Sequence, residues 1–406
     1  MTARFVVLLD QEPGTATLSS ELRGHGFRVI CVSRSPRSAA DTDIHVPASE
    51  QIDELASAIR ASVAAGELVG VYTFAENSKF RQLRLNAALG LEGDEPETVK
   101  GARDKATMRR VLRESGLATH DWHFLPDSAA VEKSPLEFPV VCKPNLGFAS
   151  GGVRVVHEQA EYERAVLGIR RLNTLLLKPR SPVETGVVVE EFLSGPEYSI
   201  DAITWQGETR LFACCGKKYP EGNELIDFAY YSPAASELND VFQEVVTQSA
   251  QSLRYRFGPT HTEVRWDSRR QRWQVLETAL RVGFNGHIGS MIRETSGVDY
   301  NLLALLSALR QPGAAEYFRT PCEPRGLGVV FSPEVRGRGR FRGIPGLETL
   351  RRDPRVRSLS VIPEEGEWVS ADGFNYYLIL VAVLSGLPDL DRFLADASKW
   401  AAAEYL

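Results

Sequence analysis

The sequence predicts an α/β protein whose middle part is better described as α+β. Three observations carry that expectation. Short β-branched runs alternate with helical apolar spacing over residues 1–100. From Asp104 onward, strand-like runs joined by polar turns outnumber helices. A length of 406 residues, 43% hydrophobic and 25% charged, suffices for two or three packed domains. Dividing the chain where its character changes gives segments 1–100, 101–310 and 311–406.

The first segment opens with the apolar run 5–9, closed by Asp10 and a Pro13, Gly14 turn; a helix over 17–25 and a strand over 28–33 follow. Residues 50–65 carry helical spacing, and 69–74 form another β-branched and aromatic run. Such alternation makes a parallel sheet, whose ligands sit beyond the carboxyl ends of the strands; Asp10, Ser33 and residues 74–77 fall there. In the second segment a helix over 104–115 stops at Gly116, and strands are expected over 138–143, 152–157 and 186–192, with a helix over 159–171 between the last two. A β-rich stretch with one helix, 241–255, then runs over 198–280. In the third segment, strands over 326–331 and 356–361 and a helix over 390–402 predict a small C-terminal domain.

The formal net charge of −6, from 53 acidic and 47 basic residues, argues against nucleic acid as the main partner. The five cysteines are odd in number, form no CxxC pair, and fit a reducing compartment. No apolar run approaches the length of a membrane span, and 5–9 is too short for a signal-peptide core. A cytoplasmic protein is expected, without nucleic-acid or membrane partners.

Three motifs carry candidate chemistry. Glu263 in HTEVRW and Glu277 in WQVLETALR read as neighbouring strands of a hairpin around the polar turn 267–272, so both carboxylates can face one site. Paired carboxylates suit Mg²⁺, and Arg281 four residues on places a planar cation where an anionic oxygen would develop. The competing reading is a salt-bridged surface hairpin. Strand FPVVCKP ends in Lys143 and enters a loop of small residues, 145–152, whose backbone N–H groups can approach phosphate oxygens. This is neither a Walker A nor a dinucleotide fingerprint, and a plain hairpin turn competes. In VVVEEFLSGPEYS a strand ends at Glu190 and leads to Glu197, groups that could read a purine and a ribose, or could form an acidic solvated loop.

Taken in order, Lys105 in a DK pair, Lys143 in VVCKP with its Ser/Gly loop, VEEFLSGPE, Glu263, Glu277 and Arg281 resemble the ATP-grasp superfamily over roughly residues 100–300. Within it the sequence looks most like bacterial L-amino-acid ligases, through HTE, the ExAxR pattern and the trailing C-terminal segment. The resemblance implies a pre-ATP-grasp domain (1–100), an ATP-grasp domain (101–310) with a lid over about 120–190, and a C-terminal domain (311–406). It implies Lys105 and Lys143 on the nucleotide phosphates, Ser150, Gly151 and Gly152 as their cover, Glu190 and Leu193 at the adenine, and Glu197 at the ribose. It further implies Glu263 and Glu277 as ligands of Mg²⁺ or Mn²⁺, Arg281 as the catalytic cation, and ATP as cosubstrate. Glu76 in TFAEN takes the position where relatives contact substrate, and Asp227 and Tyr230 in LIDFAYYSP fall at the expected amino-acid pocket. A homodimer is compatible with the resemblance.

The implied activity joins an amino acid or related acid to an amine through an acyl-phosphate. Ala279 departs from the pattern of many relatives, which carry Asn there, and Asp227, Tyr230 and Asn285 do not repeat the residues expected of a dipeptide ligase. A carboxylase-like or purine-pathway enzyme and a non-catalytic nucleotide-binding module are the alternatives. His261 and Glu263 mimic a deaminase HxE without its CxxC, so His261 is expected in the core or behind a ligand. The run RGRGRFRG at 336–343 reads as a basic loop near the nucleotide site or a solvated turn rather than an RNA-binding stretch, and Lys217, Lys218 and Tyr219 as a solvated strand end, with facing the substrate as the alternative.

Overall fold

The computed structural model describes residues 2–10, 19–34, 42–63, 66–177, 182–219, 228–335, 337–370 and 376–406. Near the N-terminus, strands Arg4–Leu9, Phe27–Ser33, Ile44–Pro47 and Glu67–Tyr72 form a four-stranded sheet in which every pairing is parallel. Its apolar strands are buried on both faces, as a parallel sheet requires. One face packs on helices Ile52–Ser62 and Lys79–Leu89; the other joins a core shared with the rest of the molecule, in which Val6, Leu8, Tyr72 and Phe74 meet Ile203, Met291 and Leu303.

The helix Lys105–Glu114 starts where the sequence places it. Asp104 is its N-cap, its side chain accepting from the Thr107 backbone N–H at 3.0 Å. Then comes a small antiparallel sheet, with strands Trp122–Pro126, Gly186–Glu191, Val140–Pro144 and Arg154–Val156 side by side in that order. The helix Gln159–Leu172 covers it, and Val140, Val166, Ile169 and Val189 give it a core of its own.

The remaining large sheet has eight strands, and its order explains the site. Arg272–Ala279, Phe257–Asp267, Glu197–Trp205, Glu208–Lys218 and Ala229–Ser232 lie side by side, and Leu327–Phe331, Leu378–Leu384 and Val356–Val361 continue the same sheet. The C-terminal segment expected to stand apart therefore contributes strands to a continuous sheet. The run LILVAVL is buried along nearly its whole length and needs neighbours on both edges. Helices His287–Ser296 and Tyr300–Ala308 pack beneath it and link it to the N-terminal sheet.

The basic run lies elsewhere: Arg338–Gly343 is the central strand of a three-stranded sheet with Trp368–Ser370 and Glu404–Tyr405. No described helix is long and apolar enough to cross a membrane.

Candidate active site

Period-two alternation decides what faces the cleft. In the hairpin Phe257–Asp267 and Arg272–Ala279, Glu263 lies directly opposite Glu277 and His261 opposite Ala279. Thr262 and Thr278, also paired, share a hydrogen bond at 3.2 Å on the other face. The two acids that lie fourteen residues apart in sequence are thus cross-strand neighbours on one face. Next to them Glu197, opposite Arg265, begins the third strand, and Lys217 sits on the fourth, opposite Tyr230.

Charged groups interlock across this face. Lys217 Nζ donates to Glu197 at 2.5 Å and to Glu263 at 2.8 Å, with its side chain only 2% exposed. Of the two expectations for this strand end, the solvated one fails for Lys217: alternation turns it inward, while Lys218 faces out toward Asp391 at 2.7 Å. Arg265 bonds Glu197 at 2.8 Å and the Leu193 carbonyl at 3.1 Å. His261 Nδ1 is hydrogen-bonded to Asp201 at 2.9 Å, and its Nε2 lies 3.9 Å from Glu263. Asp201 also accepts from the Gly283 N–H at 2.8 Å; a Cβ on Gly283 would lie 2.6 Å from His261 Nδ1, so only glycine admits this approach.

Arg103 and Lys105, on either side of Asp104, tie the small-residue loop to Glu76 and to the large sheet. Lys105 Nζ donates to Glu277 at 2.7 Å and to the Gly147 carbonyl at 2.9 Å. Arg103 reaches the Leu146 carbonyl at 2.9 Å and Glu76 at 2.5 Å. Asn145 accepts from the Ala106 N–H at 3.0 Å and donates to the Glu184 carbonyl at 3.1 Å, which closes the base of the loop. Within the loop Ala149, Ser150 and Gly152 all have φ between 48° and 80°. A Cβ on Gly152 would meet Leu172 at 2.8 Å and Pro144 at 2.9 Å. Gly152 therefore packs inward, whereas Ser150 and Gly151 line the cleft.

Lys143 Nζ lies 2.6 Å from Glu190, which is also held by Arg109 at 2.6 Å, with His120 3.9 Å away. Arg109 is completely buried and additionally donates to the carbonyls of Val275 and Leu276. Glu76 is bound through both oxygens, by Arg103 and by Arg281 at 2.8 Å. Glu76 arrives from the end of the N-terminal sheet, so its carboxylate joins that sheet to the acid-bearing face of the large one.

One cavity of about 260 Å³ collects these groups. Glu76, Lys105, Lys143, Ser150, Gly151, Glu190, Leu193, Glu197, Tyr230, Glu263, Glu277 and Arg281 all line it. Asp227 lies outside the described residues. Asp10 and Ser33 are engaged elsewhere, Asp10 with Ser78 at 2.8 Å and with Arg81, Ser33 with His45 at 3.2 Å. Sequence reasoning passed over Arg103, Arg109, Phe284, Tyr376 and Ile379. The DK pair already marked the helix start beside Arg103; nothing local marks the others. Phe284 and Asn285 both adopt left-handed backbone (φ 49° and 50°), a conformation costing about 1 kcal/mol or more per non-glycine residue and concentrated at functional sites.

Electrostatics separates the facing acids. Burial raises Glu263, but Lys217 and His261 outweigh it and hold its carboxyl at about 2. Burial likewise raises Glu277; Lys105 opposes this, yet with Glu76 and Glu263 nearby the net shift is upward. An oxygen-rich pair in which one member resists ionisation fits a divalent cation, which would relieve that repulsion.

The site thus sets an antiparallel sheet bearing paired acids against a small lysine-bearing sheet with a glycine loop. Residues 136–287 match the family model described as ATP-grasp domain. The fold throughout is similar to the crystal structure of L-amino acid ligase from Bacillus licheniformis, with TM-score 0.88 at 23% identity over 99% of each chain. In sequence the chain is 26% identical over 206 residues to an uncharacterised protein of Sinorhizobium fredii, covering 49% of this chain and 41% of that one. It is 27% identical over 106 residues to D-alanine–D-alanine ligase of Pediococcus pentosaceus, 26% of this chain and 27% of that one. The chain thus spans less than half the length of these curated relatives.

Proposed function

We propose that the protein is an ATP-dependent carboxylate–amine ligase that activates an amino acid or related acid as an acyl-phosphate and transfers it to an amine. The observation that carries this reading is the convergence of Lys105, Lys143, Glu263, Glu277 and Arg281 on one cleft from three separate parts of the fold. The fold likeness to an L-amino acid ligase and the short sequence likeness to D-alanine–D-alanine ligase support it.

The triphosphate lies between the small sheet and the large one. Lys143 and Lys105 meet its oxygens, each exchanging part of its contact with Glu190 or Glu277 for phosphate. Ser150 and Gly151 cover it, and the segment of about 120–190 closes as a lid, excluding water while the acyl-phosphate exists. Leu193 and Glu190 border the purine, and Glu197 the ribose. Glu263 and Glu277 would hold Mg²⁺, which supplies charge neutralisation during phosphoryl transfer. Arg281, aimed by Glu76, stabilises the oxyanion formed when the amine attacks.

Purified protein with Mg²⁺, ATP and pooled amino acids should release ADP in an amino-acid-dependent way, and mass spectrometry should find condensation products. Arg281→Ala should lower kcat about 100-fold or more while leaving the KM for ATP nearly unchanged. ADP release that depends on bicarbonate instead, or tight ATP binding with no turnover under any addition, would sink the ligase reading.

A further inference from the structure

The cleft has a second wall that the phosphate chemistry does not use. Phe284 lies at its centre. Its ring centroid is 5.6 Å from Tyr230 and 4.9 Å from Tyr376, in tilted contacts, and Ile379 lines the same cavity. All four belong to or pack against the central core, so the wall is held from behind. It abuts the reacting end: the Tyr230 ring lies 6.5 Å from the His261 ring and 5.7 Å from Lys217 Nζ, both of which adjoin Glu263. Two consecutive left-handed residues, Phe284 and Asn285, set the position of the ring three residues after Arg281.

The charge pattern points the same way. Among the described residues, every acidic or basic side chain lining the cavity is already paired with another protein side chain. Glu76 has Arg103 and Arg281, Lys105 has Glu277, Lys143 has Glu190, Glu191 has Arg270, and Glu197 and Glu263 share Lys217. A charged substrate side chain would have to break one of these pairs, whereas an apolar one gains contact with aromatic faces.

We infer that the acid activated by this protein is an amino acid with a sizeable apolar side chain, seated against Phe284, Tyr230, Tyr376 and Ile379, with Phe284 setting the depth of its subsite. The inference rests on the ligase reading above. A donor whose carboxylate reaches the phosphate has its side chain only a few bonds away, where the wall begins.

Hydroxylamine in place of the amine isolates the donor. The substrate carboxylate oxygen attacks the γ-phosphorus and the bond to the β-bridging oxygen breaks, releasing ADP. Hydroxylamine nitrogen then attacks the acyl carbon, the carbon–oxygen bond to phosphate breaks, and the nitrogen's proton passes to solvent, leaving a hydroxamate and phosphate. The wild-type protein with Mg²⁺, ATP and single amino acids should form hydroxamates from leucine, methionine or phenylalanine with kcat/KM about tenfold or more above aspartate, glutamate, lysine, arginine and glycine. Phe284→Ala and the milder Phe284→Leu should shift the ranking toward bulkier donors relative to wild type. Preference for a charged donor or for glycine would overturn the inference and leave the ligase reading standing, as would an unchanged ranking in both folded variants. Hydroxamate from no acid at all would overturn the ligase reading and this inference with it.

Discussion

At the scale of single residues, the site is a set of buried acids each answered by bases from a distant part of the chain. Glu76 shows the energetic stakes: burial raises its carboxyl, yet Arg103 and Arg281 hold it well below the usual range. Glu76→Gln leaves two guanidinium groups facing a neutral amide, so stability should fall by about 3 kcal/mol in urea denaturation, because breaking a buried pair costs more than the pair is worth. Lys79 is the opposite case. It is 3% exposed and hydrogen-bonded to Gln82 at 3.1 Å, and burial lowers its ammonium from 10.5 to about 8. Between pH 8 and 10.5 the unfolded chain holds a proton there that the native one lacks, so this residue's contribution to stability rises with pH across that window. The stability difference between wild type and Lys79→Met should therefore favour the variant most near pH 7 and shrink across pH 8 to 10.5, levelling off only above that window, with a full span on the order of 3 kcal/mol. The paired acids and Arg281 were legible because their residue types and spacing announce a hairpin site. Lys217 was legible only as one of two readings of a strand end, and Arg109 not at all: a lone arginine on a helix acquires meaning only when folding brings Glu190 to it.

At the scale of elements, local rules explain most of what the sequence disclosed. The Asp104 cap, the Gly116 stop, the β-branched run before Lys143 and the hairpin turn at 267–272 are short-range signals, and the structure has helix Lys105–Glu114 and strands Val140–Pro144, Phe257–Asp267 and Arg272–Ala279 there. Helices Lys79–Leu89 and Pro96–Arg103 escaped because their buried faces carry polar residues, Lys79, Gln82, Asn86, Thr98 and Arg103, that look solvated in sequence. Helix Tyr300–Ala308 is buried almost all round and so shows no amphipathic period. The loop after Lys143 makes its own prediction. Gly152→Val adds a side chain at φ 80° against Leu172 and Pro144 and should cost about 2 kcal/mol or more. Hydrogen exchange of residues 147–152 should slow on adding Mg²⁺ with a non-hydrolysable ATP analogue, and that protection should weaken in the variant. Unaltered exchange in wild type would remove the loop from the nucleotide's cover.

At the scale of the whole molecule, the largest departure from the expected layout is the sheet that runs unbroken from Arg272–Ala279 to Val356–Val361. Its continuity was hidden because pairing between Ala229–Ser232 and Leu327–Phe331 joins positions far apart in sequence, and no local pattern encodes such a partner. A chain cut after residue 310 would leave Ala229–Ser232 as a bare edge and strip Val330, Ile379 and Val381 from the central core. Expressed alone, that fragment should be insoluble or lack a cooperative thermal transition, although it contains every proposed phosphate and metal group; a soluble, ATP-binding fragment would show the C-terminal strands to be dispensable. The same arrangement has a consequence during translation. The ribosome makes the lysines, both acids and Arg281 well before it makes Tyr376 and Ile379, so a nascent chain carries the phosphate-handling groups before its pocket has a back wall.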